Sequence, residues 1–412
     1  MTANARLPVS LVRHRPFVFF WLARTSTTIA LQMQAVAVSW QMYDLTHDPL
    51  DLGLVGLTQF IPAALLMLVA GHAADRYDRR LIVRSCQFLA GVAVAMLAAG
   101  TAYGWLSRNA ILAIVFVIGA ARAFESTTLQ TLLPAVVPLP MLARATAASS
   151  SATQLAVIAG PAIGGLIYAQ SQSPILVYAL CCLLYIVAGL LVSLIRIERI
   201  VSAREPISFA VLFAGVNYIR HNSIILGAIS LDLFAVILGG ATALLPVFAY
   251  DVFNVGPEGL GLLRAAPGAG ALLIAIVMTR WPPRRGVGRI MFGAVAIFGV
   301  AILVFALSRS FTLSLIALGF LGAADMVSVV IRMTLVQLET PDATRGRVSA
   351  VNSLFVQASN QLGEFRAGLM AAWLGTIPTV IIGGIGTLLV VLIGRKIFSE
   401  LYRVDTFGPA RK

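Results

Sequence analysis

The sequence predicts an all-α membrane protein with twelve transmembrane helices in two pseudo-symmetric six-helix bundles. Three observations predict it: composition, the placement of charge, and an internal repeat. Of the 412 residues, 59% are hydrophobic and only 11% are charged, whereas soluble domains carry about 25% charged residues. Apolar stretches of roughly 20 residues recur along nearly the whole chain, each long enough to cross the hydrocarbon core. They are continuous rather than alternating in segments of about 10 residues, which excludes a β-barrel. Helices remain, because they satisfy their own backbone hydrogen bonds in lipid.

Taken in order, the spans read as 16–43, 52–72, 81–104, 109–130, 143–169 and 174–195, then 223–250, 259–279, 287–307, 311–333, 348–372 and 376–398. The first is too long for the apolar region of a signal peptide and lacks a small-residue exit. Loops between spans are short except 196–222, which holds Arg196, Glu198, Arg199, Arg204, Glu205 and Arg220. This segment reads as a cytoplasmic linker between an N-terminal bundle, 1–195, and a C-terminal bundle, 223–412. Its middle, Ile207 to Tyr218, has the pattern of an amphipathic helix lying on the membrane.

Charge placement orients the chain. Of 30 basic residues, only Arg108 and Arg309 fall in loops on one side, while the opposite loops and both ends hold nearly all the rest. By the positive-inside rule both termini are cytoplasmic, which requires an even number of spans. The other side is acidic: Asp44, Asp48, Asp51, Asp251 and Glu258. The net charge of +13 is therefore a topology signal and not a nucleic-acid face.

The repeat has two offsets. Shifting by 208 places Pro49, Leu52 and Gly53 on Pro257, Leu260 and Gly261. Shifting by 203 places Thr131, Leu132, Pro138, Arg144, Ala147, Gln154 and Gly160 on Thr334, Leu335, Pro341, Arg347, Ala350, Gln357 and Gly363. Two parallel six-span halves related by an axis along the membrane normal describe a large class of transporters.

Several motifs add to this. Gly71-His-Ala-Ala-Asp75-Arg76-Tyr-Asp78-Arg79-Arg80 reads as a ten-residue cytoplasmic turn between the second and third spans, and as a conformational latch. The fifth span carries Gly160-Pro161-Ala-Ile-Gly164-Gly165, and the fourth carries Arg122-Ala-Phe-Glu125-Ser. Later come Pro341-Asp342-Ala-Thr-Arg345-Gly346-Arg347 and Asn360-Gln-Leu-Gly-Glu364-Phe. Together they resemble the major facilitator superfamily. The turn is similar to its signature Gly-x-x-x-Asp-Arg-x-Gly-Arg-Arg/Lys, with Asp78 where Gly is usual; Asp tolerates a left-handed backbone better than most residues. The fifth-span motif resembles the antiporter motif Gly-Pro-x-x-Gly-Gly of exporters, and the fourth-span motif is a partial match to Arg-x-x-Gln-Gly. The late motifs look like the bacterial branch with the enterobactin exporter and macrolide efflux proteins, of drug:proton antiporter type. The resemblance implies an alternating-access carrier in which Asp75 holds the cytoplasmic side closed and Gly160, Gly164 and Gly165 restrict leak. On physical grounds alone, that glycine stretch also reads as ordinary small-residue packing, with Pro161 bending the helix.

Ionisable residues inside spans are Arg24, Arg122, Glu125, Asp232, Arg264, Asp325, Arg332, Glu364 and Arg366, each a functional candidate by default. Arg332 reads as snorkelling to the cytoplasmic end, and Arg264 sits near the outer end of its span. The offsets place Arg24 on Asp232 and Arg122 on Asp325. The family's cavity is lined by the first, fourth, seventh and tenth helices. The resemblance thus implies a substrate cavity with Arg24 and Arg122 on one wall and Asp232 and Asp325 on the other. Asp232, Asp325 and Glu125 are the proton-coupling candidates; the competing reading is permanent structural ion pairs. Glu364 and Arg366 are secondary candidates on the eleventh helix, a support position in the family.

Other functions find no residues. A phosphate loop needs a lysine, and the two lysines, Lys396 and Lys412, stand in no such loop, so ATP is not expected as the energy source. Cys86, Cys181 and Cys182 lie in apolar runs as small fillers. His14, His47, His72 and His221 are scattered, so no metal site is expected, and His47 among Asp44, Asp48 and Asp51 reads as part of a solvated acidic loop. No nucleophilic triad is identifiable, and the chain is not expected to be an enzyme. The expected function is proton-coupled export of an amphipathic organic compound, a siderophore or drug, by a monomer in the bacterial inner membrane. It needs no cofactor beyond the proton gradient and no partner beyond substrate and lipid. The alternative is import of a small anionic metabolite held by Arg24 and Arg122.

Overall fold

The computed structural model describes residues 11–195 and 209–407, which are helical with no strand among them. The helices are α1 (Arg15–Thr46), α2 (Pro49–Arg76), α3 (Arg79–Ala102), α4 (Arg108–Val136), α5 (Leu139–Ser171), α6 (Ile175–Ser193), α7 (Phe209–His221), α8 (Ser223–Gly239), α9 (Pro257–Arg280), α10 (Val287–Leu307), α11 (Phe311–Glu339), α12 (Asp342–Leu374), α13 (Thr376–Ile397) and α14 (Ser399–Arg403). Beyond α8 the chain continues through short 3-10, α and π turns to Val252.

Ten stretches among the described residues are long and apolar enough to cross a membrane. The two further spans expected from the sequence are α1 and α12, of 32 and 33 residues. Both are long enough but fall outside the ten, because polar residues punctuate them: Arg24, Gln32, Gln34 and Gln41 in α1; Asn352, Asn360, Gln361, Glu364 and Arg366 in α12.

Helix starts follow local chemistry. Asp78, Ser107, Asn222 and Ser310 cap α3, α4, α8 and α11, each side chain accepting from a backbone N–H of the first turn. Pro138 and Pro341, one repeat apart, open α5 and α12 with nearly the same backbone, ψ 143° and 147°. The 208 offset reappears as the starts of α3 and α10, at Arg79 and Val287.

The chain divides into two compact units. The first comprises Met1–Val38 and Ile61–Pro206, and the second Ser39–Phe60 and Ile207–Lys412. The first is cored by Phe17, Phe20, Leu132, Val136, Ala145 and Val192. The second is cored by Leu231, Ala235, Met291, Phe292, Ile331 and Leu335. Ser39–Phe60, the adjoining ends of α1 and α2, belongs to the second unit through close contacts. The Tyr43 hydroxyl donates to the Asp251 carboxylate, Trp40 packs on Tyr250 with ring centroids 5.5 Å apart, and Gly53 lies directly against the backbone of Phe365 and Gly368. A lipid solvent gives helices no hydrophobic reason to associate, so such small-residue contacts hold them.

Of the expected linker, 196–208 lies outside the described residues, including Arg196, Glu198, Arg199, Arg204 and Glu205. The described part, α7, packs within the second unit. Gly215 meets Val351 and the Arg347 backbone, the Tyr218 hydroxyl donates to the Glu339 carbonyl at 2.8 Å, and Ile219 joins Ile225, Ile229, Val336 and Val348.

Candidate functional site

In the second unit, α8 presents Asp232 to one face of α11. That face carries Asp325, Ser328 and Arg332, which share it by the helical spacings i, i+3 and i+7. Arg332 forms an ion pair with Asp232, and the two residues are only 2% and 5% exposed. This corrects the snorkelling assignment of Arg332. A snorkelling head group reaches water, whereas this one turns inward because a carboxylate from another helix neutralises it. One side of the pair opens on a small pocket lined by Asp232, Ala235, Val295, Asp325 and Ser328 among others. Asp325 makes no hydrogen bond or ion pair among the described residues. Ser328 is 2% exposed, and its Oγ, like the Arg332 Nε, has no partner there.

In the first unit the equivalent place is filled by hydrogen bonds. The Gln87 amide nitrogen, from α3, donates to the Glu125 carboxylate of α4 at 3.0 Å and to the Thr27 hydroxyl of α1 at 3.1 Å. Gln87 is fully buried and Glu125 7% exposed. The repeat offsets map Thr27, Gln87 and Glu125 onto Ala235, Val295 and Ser328, all in the pocket lining of the second unit. Arg122, one turn before Glu125, is exposed, and Arg24 is half-buried. Neither makes a side-chain hydrogen bond or ion pair among the described residues.

Sequence reasoning limited to ionisable residues missed Gln87, Thr27 and Ser328. The repeat itself could have found them: at offset 208 a glutamine inside an apolar span aligns with a valine, a mismatch that packing does not require.

The antiporter-type stretch seats α5 on α1. A Cβ on Gly160 would stand 2.6 Å from the Gln32 Cβ, and one on Gly164 would stand 2.8 Å from the Met33 Cα. Gly165 and Pro161 are buried in the same continuous helix. The second unit repeats the contact: Gly363 lies against the backbone of Val236 and Ile237, and Gly240 against Gly363. Gly240 and Gly363 are the repeat equivalents of Gln32 and Gly160.

The ten-residue turn is corrected to a two-residue one. α2 runs through Gly71, Asp75 and Arg76, and α3 starts at Arg79, so only Tyr77 and Asp78 connect them. Helices that overshoot the bilayer keep their charged ends helical. Asp78 is not left-handed: at φ −63° and ψ 116° it is an extended N-cap. It accepts from the Arg80 backbone at 2.9 Å and from the Arg80 guanidinium at 3.1 and 2.7 Å. Those donors hold its carboxyl below the usual carboxylate range. Arg79 donates to the Thr131 carbonyl at 3.2 Å and Arg80 to the Ile195 carbonyl at 3.0 Å. Both arginines thus tie α3 to carbonyls near the C-terminal ends of α4 and α6, where cations are favoured. Arg76 is exposed. The Asp75 side chain lies outside what the structure describes.

Glu364 and Gln361, on α12, approach Gly56 of α2, so a Gly56 Cβ would stand 2.7 Å from the Glu364 carboxylate. Arg366 donates to the Leu238 carbonyl, a contact that ties α12 to α8. No group of three or more potential metal ligands occurs among the described residues.

A family model described as "Transmembrane secretion effector" matches residues 7–406. The enterobactin exporter EntS of Salmonella choleraesuis (strain SC-B67) is 24% identical over 413 residues, covering 98% of this chain and 97% of that protein. Among solved structures, a mutant of the nucleoside transporter NupG superposes with TM-score 0.74 at 11% identity, over 93% of this chain and 100% of that one. An inward-facing bacterial homolog of the human lysosomal transporter Spinster gives 0.73 at 14%, over 95% and 97%. These structures share the fold.

Proposed function

Because this chain belongs to the transmembrane secretion effector family of the major facilitator superfamily, multi-pass membrane transporters, we propose that it is a proton-coupled exporter of an amphipathic organic compound. A siderophore is the leading substrate class, since the similar exporter is named for enterobactin; drugs are the second. In this reading the protein works as a monomer in a bacterial inner membrane with both ends cytoplasmic, driven by the proton gradient and not by ATP.

One observation carries the coupling. Asp232 and Asp325 line the same pocket, yet Arg332 neutralises only Asp232. An ionised carboxylate in such surroundings is costly unless compensated, and a proton is the smallest compensation. Asp325 is therefore the proton carrier, and Asp232 beside it is engaged by Arg332. Arg24 and Arg122 are left to meet acidic groups of the substrate. Arg79 and Arg80 brace the cytoplasmic latch, with Asp75 acting on it, and Gly160, Gly164 and Gly165 keep α5 close on α1.

The test is reconstitution in liposomes with an internal pH dye, an imposed proton gradient, and addition of enterobactin and then amphipathic cations. Substrate-evoked proton flux that vanishes in Asp325→Asn supports the reading. Substrate movement without proton flux overturns the coupling and leaves Asp232 and Asp325 as structural groups. If only small organic anions move, inward, and Arg24→Gln or Arg122→Gln blocks them, the protein is an anion importer instead.

A further inference from the structure

With Glu125 ionised, the hydrogen-bond directions around Gln87 follow from its two partners. The Thr27 hydroxyl donates to the Ala23 carbonyl at 3.0 Å. Its oxygen then has only lone pairs to offer, so the Gln87 atom 3.1 Å away must be a donor. The same amide nitrogen faces the Glu125 carboxylate at 3.0 Å. Turning the amide over would set its carbonyl oxygen against a hydroxyl lone pair and a carboxylate together. The hydroxyl of α1 thus locks the amide of α3 as a donor to the acid of α4.

This arrangement is not a packing necessity. Gln87 is fully buried, and its Oε1 has no partner among the described residues, a cost that an apolar side chain would avoid. The repeat supplies an internal control. At the equivalent position of the second unit, Val295 packs the corresponding helices beside Ala235 and Ser328 with no amide.

We infer that Gln87 is the positioning residue of a second proton site, at Glu125, and that Thr27 sets its polarity. The inference rests on the proton-coupled reading for its use in transport. The exchange is a simple protonation: the Glu125 carboxylate takes one proton on the oxygen away from Gln87 and returns one carboxylic acid. The amide N–H stabilises the ionised form more than the neutral one. The titratable groups around Glu125 are Arg122 on its own helix, Cys86 on α3 and Tyr185 on α6.

The experiment is an infrared titration of the full-length protein in lipid, from about pH 4 to about pH 10. The carboxylic C=O band lost in Glu125→Gln identifies the residue. In Gln87→Leu the midpoint of that band is expected to move up by about one to two pH units, the effect of removing one hydrogen bond to a charged acceptor. Thr27→Val unlocks the amide and is expected to give a smaller shift in the same direction. It also carries the test should Gln87→Leu fail to fold, since it is nearly isosteric. An unmoved midpoint in the folded variant, or a wild-type Glu125 band that never titrates, overturns the inference. The readout needs no substrate, so the two proposals fail separately. Coupled flux with an unmoved midpoint removes only the Gln87 site, and a moved midpoint without coupled flux removes only the transport reading.

Discussion

Place the two units in repeat register, and the same helix contacts hold different chemistry. Gly160 on Gln32 in one unit is Gly363 on Gly240 in the other, and α5 and α12 open on prolines of matching geometry. Yet Thr27, Gln87 and Glu125, joined by hydrogen bonds, face as their counterparts Ala235, Val295 and Ser328, which line a largely apolar pocket. The second unit instead buries an ion pair. Arg332 stands where the first unit has Leu129, and Asp232 where it has Arg24. The helix lattice tolerates either solution, so packing does not dictate these polar groups. That divergence within a shared lattice sets Gln87 and Arg332 apart from polar residues at helix ends, because both are buried and bonded to groups of other helices.

The comparison breaks most sharply at the ion pair. Arg332→Met leaves Asp232 buried without its cation, which in proteins costs about 3–5 kcal/mol. We expect a large fall in the melting temperature of detergent-solubilised protein. Adding Asp232→Asn removes the stranded charge, and the double variant is expected to regain most of the loss. If the double variant loses the sum of the two single changes, the pair is not one energetic unit and the contrast between the halves is weaker than drawn.

Legibility in the sequence followed the range of the interaction. The helix-rich fold and its repeat were readable because span length, apolarity and the offsets are properties of contiguous chain. Pro138 and Pro341 show how literally the offset carries into backbone geometry. The Gly71–Arg80 turn was misread because charge was taken as the mark of a loop, whereas Arg76 and Arg79 stand at helix ends. The role of Arg332 was misread for a different reason: its depth along one helix says nothing about a carboxylate supplied by another. Gln87 escaped because a neutral amide raises no electrostatic alarm by itself. Only the valine at the equivalent position makes it conspicuous.

The glycine contacts sharpen the shared side of the comparison, with smaller expected effects. Gly160→Ala would put a Cβ 2.6 Å from the Gln32 Cβ, and Gly363→Ala, its repeat equivalent, would put one 2.8 Å from the Val236 carbonyl oxygen. Neither neighbour can rotate away, so the helices must separate slightly, at about 1–3 kcal/mol for overpacking. Gly346→Ala is the control, because a Cβ there meets nothing within 4 Å. Parallel drops in melting temperature at Gly160 and Gly363, with none at Gly346, support a common lattice. A drop in only one half would show that the lattice is shared in outline but not in tightness.

The smallest expected effect lies at Asp78, which has no charged counterpart: the residue before α10 is Gly286. Asp78→Ala removes an N-cap and a partly exposed ion pair with Arg80, together about 1 kcal/mol after allowing for solvent screening. The sign of its pH dependence follows from the depressed carboxyl. Stability from the ionised cap is present above the unfolded Asp value, about 3.9, and is lost as pH falls through the lower folded value. The gap in melting temperature between wild type and Asp78→Ala should therefore be widest near neutral pH and should narrow in acid. A gap that stays constant from neutral to acid pH would mean that the neutral side chain caps α3 as well as the ionised one, and that Arg80 is held by the Ile195 carbonyl rather than by Asp78.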